Sequence, residues 1–405
     1  MQRCRCTRNP ENPDGPCEPC LKFSKTSKKT IHHVPCSRYK LTEITLFRKG
    51  GLAITQRWKG ATVRDVGDWA PGEPDIRYVQ MQQNLCKTPM CFAVRRFVPS
   101  STDNISRSWM DRGQMKKVDL APYALADVEA AREVFGKYLD SHAFEGLLWV
   151  IETSFRDDLA REVYTMAYKH FESLSTASEE CLQTSRRYMA NLFRLWFAMR
   201  HTTGSSWLCG PEHLGTTKVD DESYPLGDRV STPRLVVAQF NSIYITCYLM
   251  PLSALILKQL EAMFKSKAMN HWFTIFLSTF ILLYEISHIS EDRYRYARQN
   301  NHKDEYSLPL FVRELQEGAN VILLHWHYLN CDIDPLTVDW SNARKTSLPN
   351  LDKDQLSFVV RAWEMMRSRE EDVRANLDTN NYRWSLYFTS QMFEKNWAPR
   401  ATYAG

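Results

Sequence analysis

Glycine is scarce, at 15 in 405 residues. The chain also has no Walker A sequence, no G-x-G-x-x-G fingerprint, no G-x-S-x-G elbow and no H-E-x-x-H pair. A phosphate-cradling loop needs glycine so that backbone N–H groups can approach the anion, so nucleotide-driven chemistry is not expected. The missing elbow and metalloprotease pair remove two widespread hydrolase designs. The first twenty residues lack an apolar core and hold Arg, Glu and Pro instead, so no secretory leader is expected and disulfides are not either. No segment recurs at a fixed period, which excludes a regular solenoid. Residues 40–120 carry no sustained heptad run with charged flanks, so a coiled-coil dimer is not predicted there. The expectation is an intracellular protein that regulates by binding and is not an enzyme.

The residues that are present make a folded protein. Hydrophobic content is 43%, charged content 24%, and aromatic content 12% with 12 Trp. Disordered chains are poor in aromatics, so most of the sequence should pack into a core. The length suits one full-sized core or two domains. Residues 235–257 are uncharged and long enough to span a membrane, but they contain Gln239, Asn241, Ser242, Thr246, Pro251 and Ser253. The run 271–284 is too short to span. Both are read as buried helices, and no membrane partner is expected.

From about Leu125 the apolar residues recur every three or four positions, the spacing of an amphipathic helix. Leu159, Val163, Met166 and Ala167 share a face, as do Ser185, Tyr188, Met189, Leu192, Trp196 and Met199. A loop rich in Gly, Ser, Asp and Pro covers 204–233. Helices are predicted near 234–265, 269–298, 309–330, 353–374 and 382–396. Pro309 suits the first position of its helix, and Asn350 or Asp352 suits the N-cap of the next. Before this body, Ile76–Met81 and Cys91–Val94 read as short strands among turns. The predicted fold class is all-α. A small loop-rich cysteine head (1–40) and a linker with short β-like segments (41–120) precede a helical regulatory domain (121–405).

The head is distinct in charge and in cysteine. Residues 1–50 hold eleven Lys and Arg against four acids, which is +7 of a net +5, so the other 355 residues carry −2. A basic head on a nearly neutral body points to a polyanion partner for the head alone; the bland alternative is a solvated tail. Five of the 11 cysteines, Cys4, Cys6, Cys17, Cys20 and Cys36, lie in the first 36 residues. Cys17-Glu18-Pro19-Cys20 has the spacing by which one turn offers two thiolates to a Zn²⁺, and nearby basic residues ease the gathering of thiolate charge. One arrangement takes Cys17, Cys20, Cys36 and either His32 or His33 around a single zinc; a remnant without metal is the other reading of the same residues.

This head resembles the fungal binuclear zinc-cluster (Zn₂Cys₆) transcription factors. Cys6, Cys17, Cys20 and Cys36 match the third to sixth ligands of that family's module. The resemblance implies zinc as cofactor, with DNA contacted by Arg3 and Arg5 and phosphates met by Lys22, Lys25, Lys28 and Lys29. The sequence departs from the pattern in two ways. The first two cysteines are absent, which leaves a degenerate or a truncated head as alternative readings, and fifteen residues separate Cys20 from Cys36.

The body resembles the same family's C-terminal helical region over about 120–396. The matching stretches are Ser205–Gly210, Asn270–Leu277, Leu308–Glu314 and Leu324–Tyr328. That resemblance implies a nuclear regulator whose helical body contacts the transcription machinery or senses a small-molecule effector. His325 and His327, near Cys331, Asp332 and Asp334, are the nearest approach to an enzymatic metal site. Residues two apart on a helix point about 200° apart, so the two histidines are read as structural. Glu285, His288 and Asp292 are helix-spaced and are read as members of a polar network.

Overall fold

Aspartate side chains open three helices of the body, α2, α3 and α9. Asp127 accepts from Ala130 N at 2.7 Å to start α2 (Val128–Thr153), and Asp157 accepts from Ala160 N at 3.0 Å to start α3 (Asp158–Ser173). Each satisfies one of the N–H groups that a helix leaves without a partner. The computed structural model describes residues 17–26, 40–72, 75–176, 179–266, 269–330, 335–338 and 351–404.

Further helices follow: α4 (Glu180–His201), α5 (Arg234–Ile243), α6 (Met250–Ser266), α7 (Trp272–Gln299) and α8 (Pro309–Leu329). The C-terminal part adds α9 (Lys353–Arg367), α10 (Glu370–Asp378) and α11 (Tyr387–Ser390). Pro309 occupies the first turn of α8, where its missing N–H costs nothing. Asp352 and Gln355 form a reciprocal capping box at α9. The helix predicted over 382–396 shrinks to α11 and one 3₁₀ turn, Gln391–Phe393.

The all-α expectation is overturned. Five antiparallel strands form one sheet, in the order β5 (Tyr123–Leu125), β2 (Met90–Arg96), β1 (Ile76–Gln82), β6 (Trp207–Cys209), β7 (Val230–Ser231). A separate hairpin pairs β3 (Ser106–Asp111) with β4 (Gln114–Asp119). The fold is mixed α/β. In β2 the residues Met90, Phe92 and Val94 alternate inward, and in β1 Val79 and Met81 do so while Tyr78 is exposed. The hairpin turns through Arg112 and Gly113, at φ +47° and +83°, the handedness a two-residue turn needs to match strand twist. β6 and β7 lie within the stretch read as a loop, so the helical half closes one edge of the sheet with its own strands.

α7 is the central element. From Trp272 to Ser287 every residue is buried, as expected for a helix apolar on all faces. It packs against α3, α4, α8 and α11. Trp272, Phe276 and Trp326 stack at 5.6–5.8 Å, with Trp363 added at 5.5 Å from Phe276. Both α7 and the continuous helical stretch Arg234–Ser266 are long and apolar enough to cross a membrane, yet 94% of the α7 window and 56% of the other are buried within the protein. Between α5 and α6 the backbone widens to a π-helical segment, Tyr244–Leu249. Pro251 follows it and cannot donate to the carbonyl four residues back, which favours the wider ladder.

Candidate functional site

Of the residues expected to bind metal or DNA, Cys17, Cys20, Lys22 and Lys25 can be placed. Cys6, Cys36, Arg3, Arg5, Lys28, Lys29, His32 and His33 lie outside the described residues. Cys17 immediately precedes α1 (Glu18–Thr26) and is fully buried, while Cys20 sits one turn on and is half-buried. Lys22 pairs with Glu18 at 2.7 Å on the outer face, and Lys25 is exposed in the last turn.

His325 and His327 do not share an ion. His325 Nδ1 lies 2.8 Å from the Val321 carbonyl, and His327 Nε2 lies 2.8 Å from the Gln391 carbonyl with its ring stacked on Trp397 at 4.9 Å. Each ring nitrogen donates to a buried carbonyl, which is a structural use. Burial pulls His327 down to about 4.

Glu285 and His288 belong to a polar network whose key partner comes from α4, while Asp292 pairs instead with Arg293 and Arg295. Glu285 Oε1 accepts from Tyr164 Oη at 2.7 Å, Trp196 Nε1 at 3.0 Å and Arg200 Nη2 at 2.7 Å. Arg200 Nη1 also lies 2.9 Å from His288 Nε2, which must accept and is therefore neutral there. Burial opposes both charges, and their mutual attraction outweighs it: Glu285 stays below its ordinary carboxylate value and Arg200 above its own. Burial, then the Arg200 charge, pulls His288 down to about 4. The network ties α3, α4 and α7 together and is closed to solvent.

Cys86, after β1, meets His142 and Glu145 of α2, with one donor atom from each within 4.8 Å of the others. His142 Nδ1 lies 2.8 Å from Glu145 Oε2. Burial, then the Glu145 carboxylate, pushes the Cys86 thiol up to about 11, so it is a protonated donor to Glu145 at neutral pH. His142 and Glu145 are visible in sequence as an i, i+3 pair, but Cys86 is remote in sequence and gave no signal.

A small cleft of about 20 Å³ lies between Phe47 and Phe311 and is lined by Arg48, Arg293, Thr202 and Thr203. Arg48 donates three N–H groups to neutral acceptors: the carbonyls of Gly50 and Gly51 and Asn241 Oδ1. Arg107 of β3 donates to Ser231 Oγ and Ser205 Oγ, both at 3.0 Å. Arg234 opens α5 behind Pro233, which supplies no side-chain cap. Arg234 Nε and Thr232 Oγ1 are buried without a partner.

Arg293 is neutralised by Asp292, which also holds Arg295 at 2.9 Å. Among the described residues no carboxylate pairs with Arg48, Arg107 or Arg234. Burial, then the Arg293 charge, pulls Arg48 down to about 10; burial lowers Arg107 and Arg234 too. Sequence reading missed Arg48 and Arg293 as neighbours because they come from separate segments, and ordinary spacing gives no sign that they meet at one cleft.

The family described as KpeA transcription factor matches residues 47–392. The chain belongs to the KpeA transcription factor family. This is a family of transcriptional regulators, and the match spans the sheet, every helix from α2 to α11, and both arginines of the cleft. The matched region begins after α1, so the KpeA match does not include Cys17 and Cys20. It bears on the broader expectation, a transcription factor, and not on the zinc-cluster type. Comparison with curated proteins and with solved structures finds no match.

Proposed function

We propose that this KpeA-family chain is a nuclear transcriptional regulator that binds DNA through its basic cysteine head and is controlled through its mixed α/β body. The family match over 47–392 is the observation that carries the reading. In the head, Cys17 stands just before α1 and Cys20 in its first turn, a two-residue spacing that suits two ligands of one zinc. Cys6 and Cys36 complete the proposed set, with His32 or His33 as alternatives for one position. Lys22, Lys25, Lys28, Lys29, Arg3 and Arg5 would meet phosphates, giving a salt-dependent affinity.

Zinc stoichiometry on freshly purified protein and a gel shift test this together. One or more zinc ions per chain, with DNA binding lost in Cys17→Ser and Cys20→Ser, is the expected result. A metal-free chain, or an unchanged shift in both variants, removes the zinc-dependent head. A second reading has the body act by contacting partners and sensing an effector without DNA binding. It is favoured by the matched region beginning after the head, and a metal-free, folded chain that shifts no DNA would select it.

A further inference from the structure

We propose that Cys86, His142 and Glu145 form a zinc site in the body, joining the turn between β1 and β2 to α2 and leaving a fourth position open to water. This site is separate from the cysteine head and does not depend on that head binding metal.

The donors come from two elements. The turn after β1 brings a thiol, and one turn of α2 brings an imidazole and a carboxylate three residues apart, on one helix face. One donor atom from each lies within 4.8 Å of the other two. Tetrahedral zinc holds its ligand atoms roughly 3.3–3.7 Å apart, so side-chain adjustments of about an ångström close the set. His142 and Glu145 can make them, because their side chains are 23% and 36% exposed. Cys86 is 2% exposed and supplies the fixed corner.

The surroundings hold that corner in place. Gln82 Nε2 donates to the Cys86 and Lys87 carbonyls, both at 3.0 Å. Tyr138 Oη of α2 donates to the Thr88 carbonyl at 2.8 Å, and its ring lies 4.7 Å from that of His142. Thr88 Oγ1 donates to Glu145 Oε1 at 3.3 Å. The Lys87 ammonium sits 5.2 Å from the centre of the Trp149 ring, again on α2. Turn and helix are thus tied around the thiol before any ion arrives. Partners of this kind orient metal ligands and raise affinity.

Charge and donor softness select the ion. Ionised Cys86 and Glu145 together offset the two charges of zinc, so the filled site is neutral where burial penalises net charge. On binding, the Cys86 proton passes to solvent and the sulfur bonds the metal in its place, while the zinc sheds water. A thiolate beside an imidazole discriminates against magnesium and calcium, which take oxygen ligands. The exposed side of His142 and Glu145 leaves the fourth position towards solvent, as in zinc sites that exchange a ligand. Filling the site would pin the sheet to α2 and link the stability of the body to zinc supply.

The experiment uses the full chain carrying Cys17→Ser and Cys20→Ser, which removes the paired thiolates of the head, with cobalt as a spectroscopic stand-in for zinc. One cobalt per chain is expected, with a thiolate-to-cobalt charge-transfer band and visible absorption of tetrahedral intensity, both lost on adding zinc. Cys86→Ser should abolish the charge-transfer band, and His142→Gln and Glu145→Gln should each weaken affinity tenfold or more. These last two alter half-exposed side chains and cover the case in which the buried substitution prevents folding. Zinc should raise the thermal midpoint of the parent but not of the three variants. In the chain with its head cysteines intact, each of the three substitutions should lower bound zinc by one ion per chain. Absence of the band overturns the proposal. So does a band that survives Cys86→Ser unchanged, or an affinity unmoved in His142→Gln and Glu145→Gln. Magnesium or calcium displacing cobalt as well as zinc does would also overturn it.

Discussion

At the scale of single residues, the buried Glu285–Arg200 pair decides more than any other contact. Glu285 is 1% exposed and its Oε1 takes three donors, so removing Arg200 would strand a carboxylate in the core. Arg200→Ala should cost about 3–5 kcal/mol, read as a lowered denaturant midpoint. Replacing both partners by methionine should recover most of that loss, because no isolated charge remains; a double variant as weak as the single would contradict this account. The sequence showed Glu285 and His288 as helix-spaced neighbours but could not show Arg200, which comes from another helix. The cleft arginines were hidden for the same reason. Cys17 and Cys20 were legible because their chemistry is local, carried by a two-residue spacing.

At the scale of elements, long helices announced themselves and short strands did not. In α8 the spacing predicts an inner face of Phe311, Leu315, Ala319, Ile322, Trp326 and Leu329; the four central residues are wholly buried, and Phe311 and Leu329 at the ends are half-buried. β5, β6 and β7 hold three, three and two residues, too few for an alternating pattern to emerge. β4 is largely exposed, with a sequence that no core face constrains. Helix contact is close where α2 crosses α4. A Cβ at Gly146 would sit 2.3 Å from Phe197 and 2.8 Å from the Leu85 carbonyl. Gly146→Ala should therefore destabilise by about 1–3 kcal/mol despite its better helix propensity, and a calorimetric midpoint at or above that of the parent would refute the close approach.

At the scale of the whole molecule, one apolar core joins the sheet, the helices and the segments between them, from Leu41 to Trp397. Tryptophan fluorescence and far-UV circular dichroism should accordingly report a single coincident unfolding transition. Acid should weaken this core before it reaches the carboxylates. Burial lowers His170 and His327 to about 4 and His201 to about 3, from an ordinary 6.5, and His288 also falls to about 4. Below pH 6.5 the unfolded chain takes up protons that the native rings refuse, so stability is complete above that pH and declines towards pH 4. Each ring contributes up to about 2 kcal/mol of loss by pH 5, and a urea midpoint unchanged between pH 7.5 and 5 would contradict it.

The π-helical segment Tyr244–Leu249 has a consequence for how the chain tolerates change. Such a widening accommodates one residue more than a regular ladder, and that residue sets the angular phase of everything after it. Excising one position there would let the ladder close and turn α6 by about 100°. Ile256, Leu260 and Phe264, now directed inward, would face water. A one-residue deletion in that short stretch would thus do more harm than most substitutions within it.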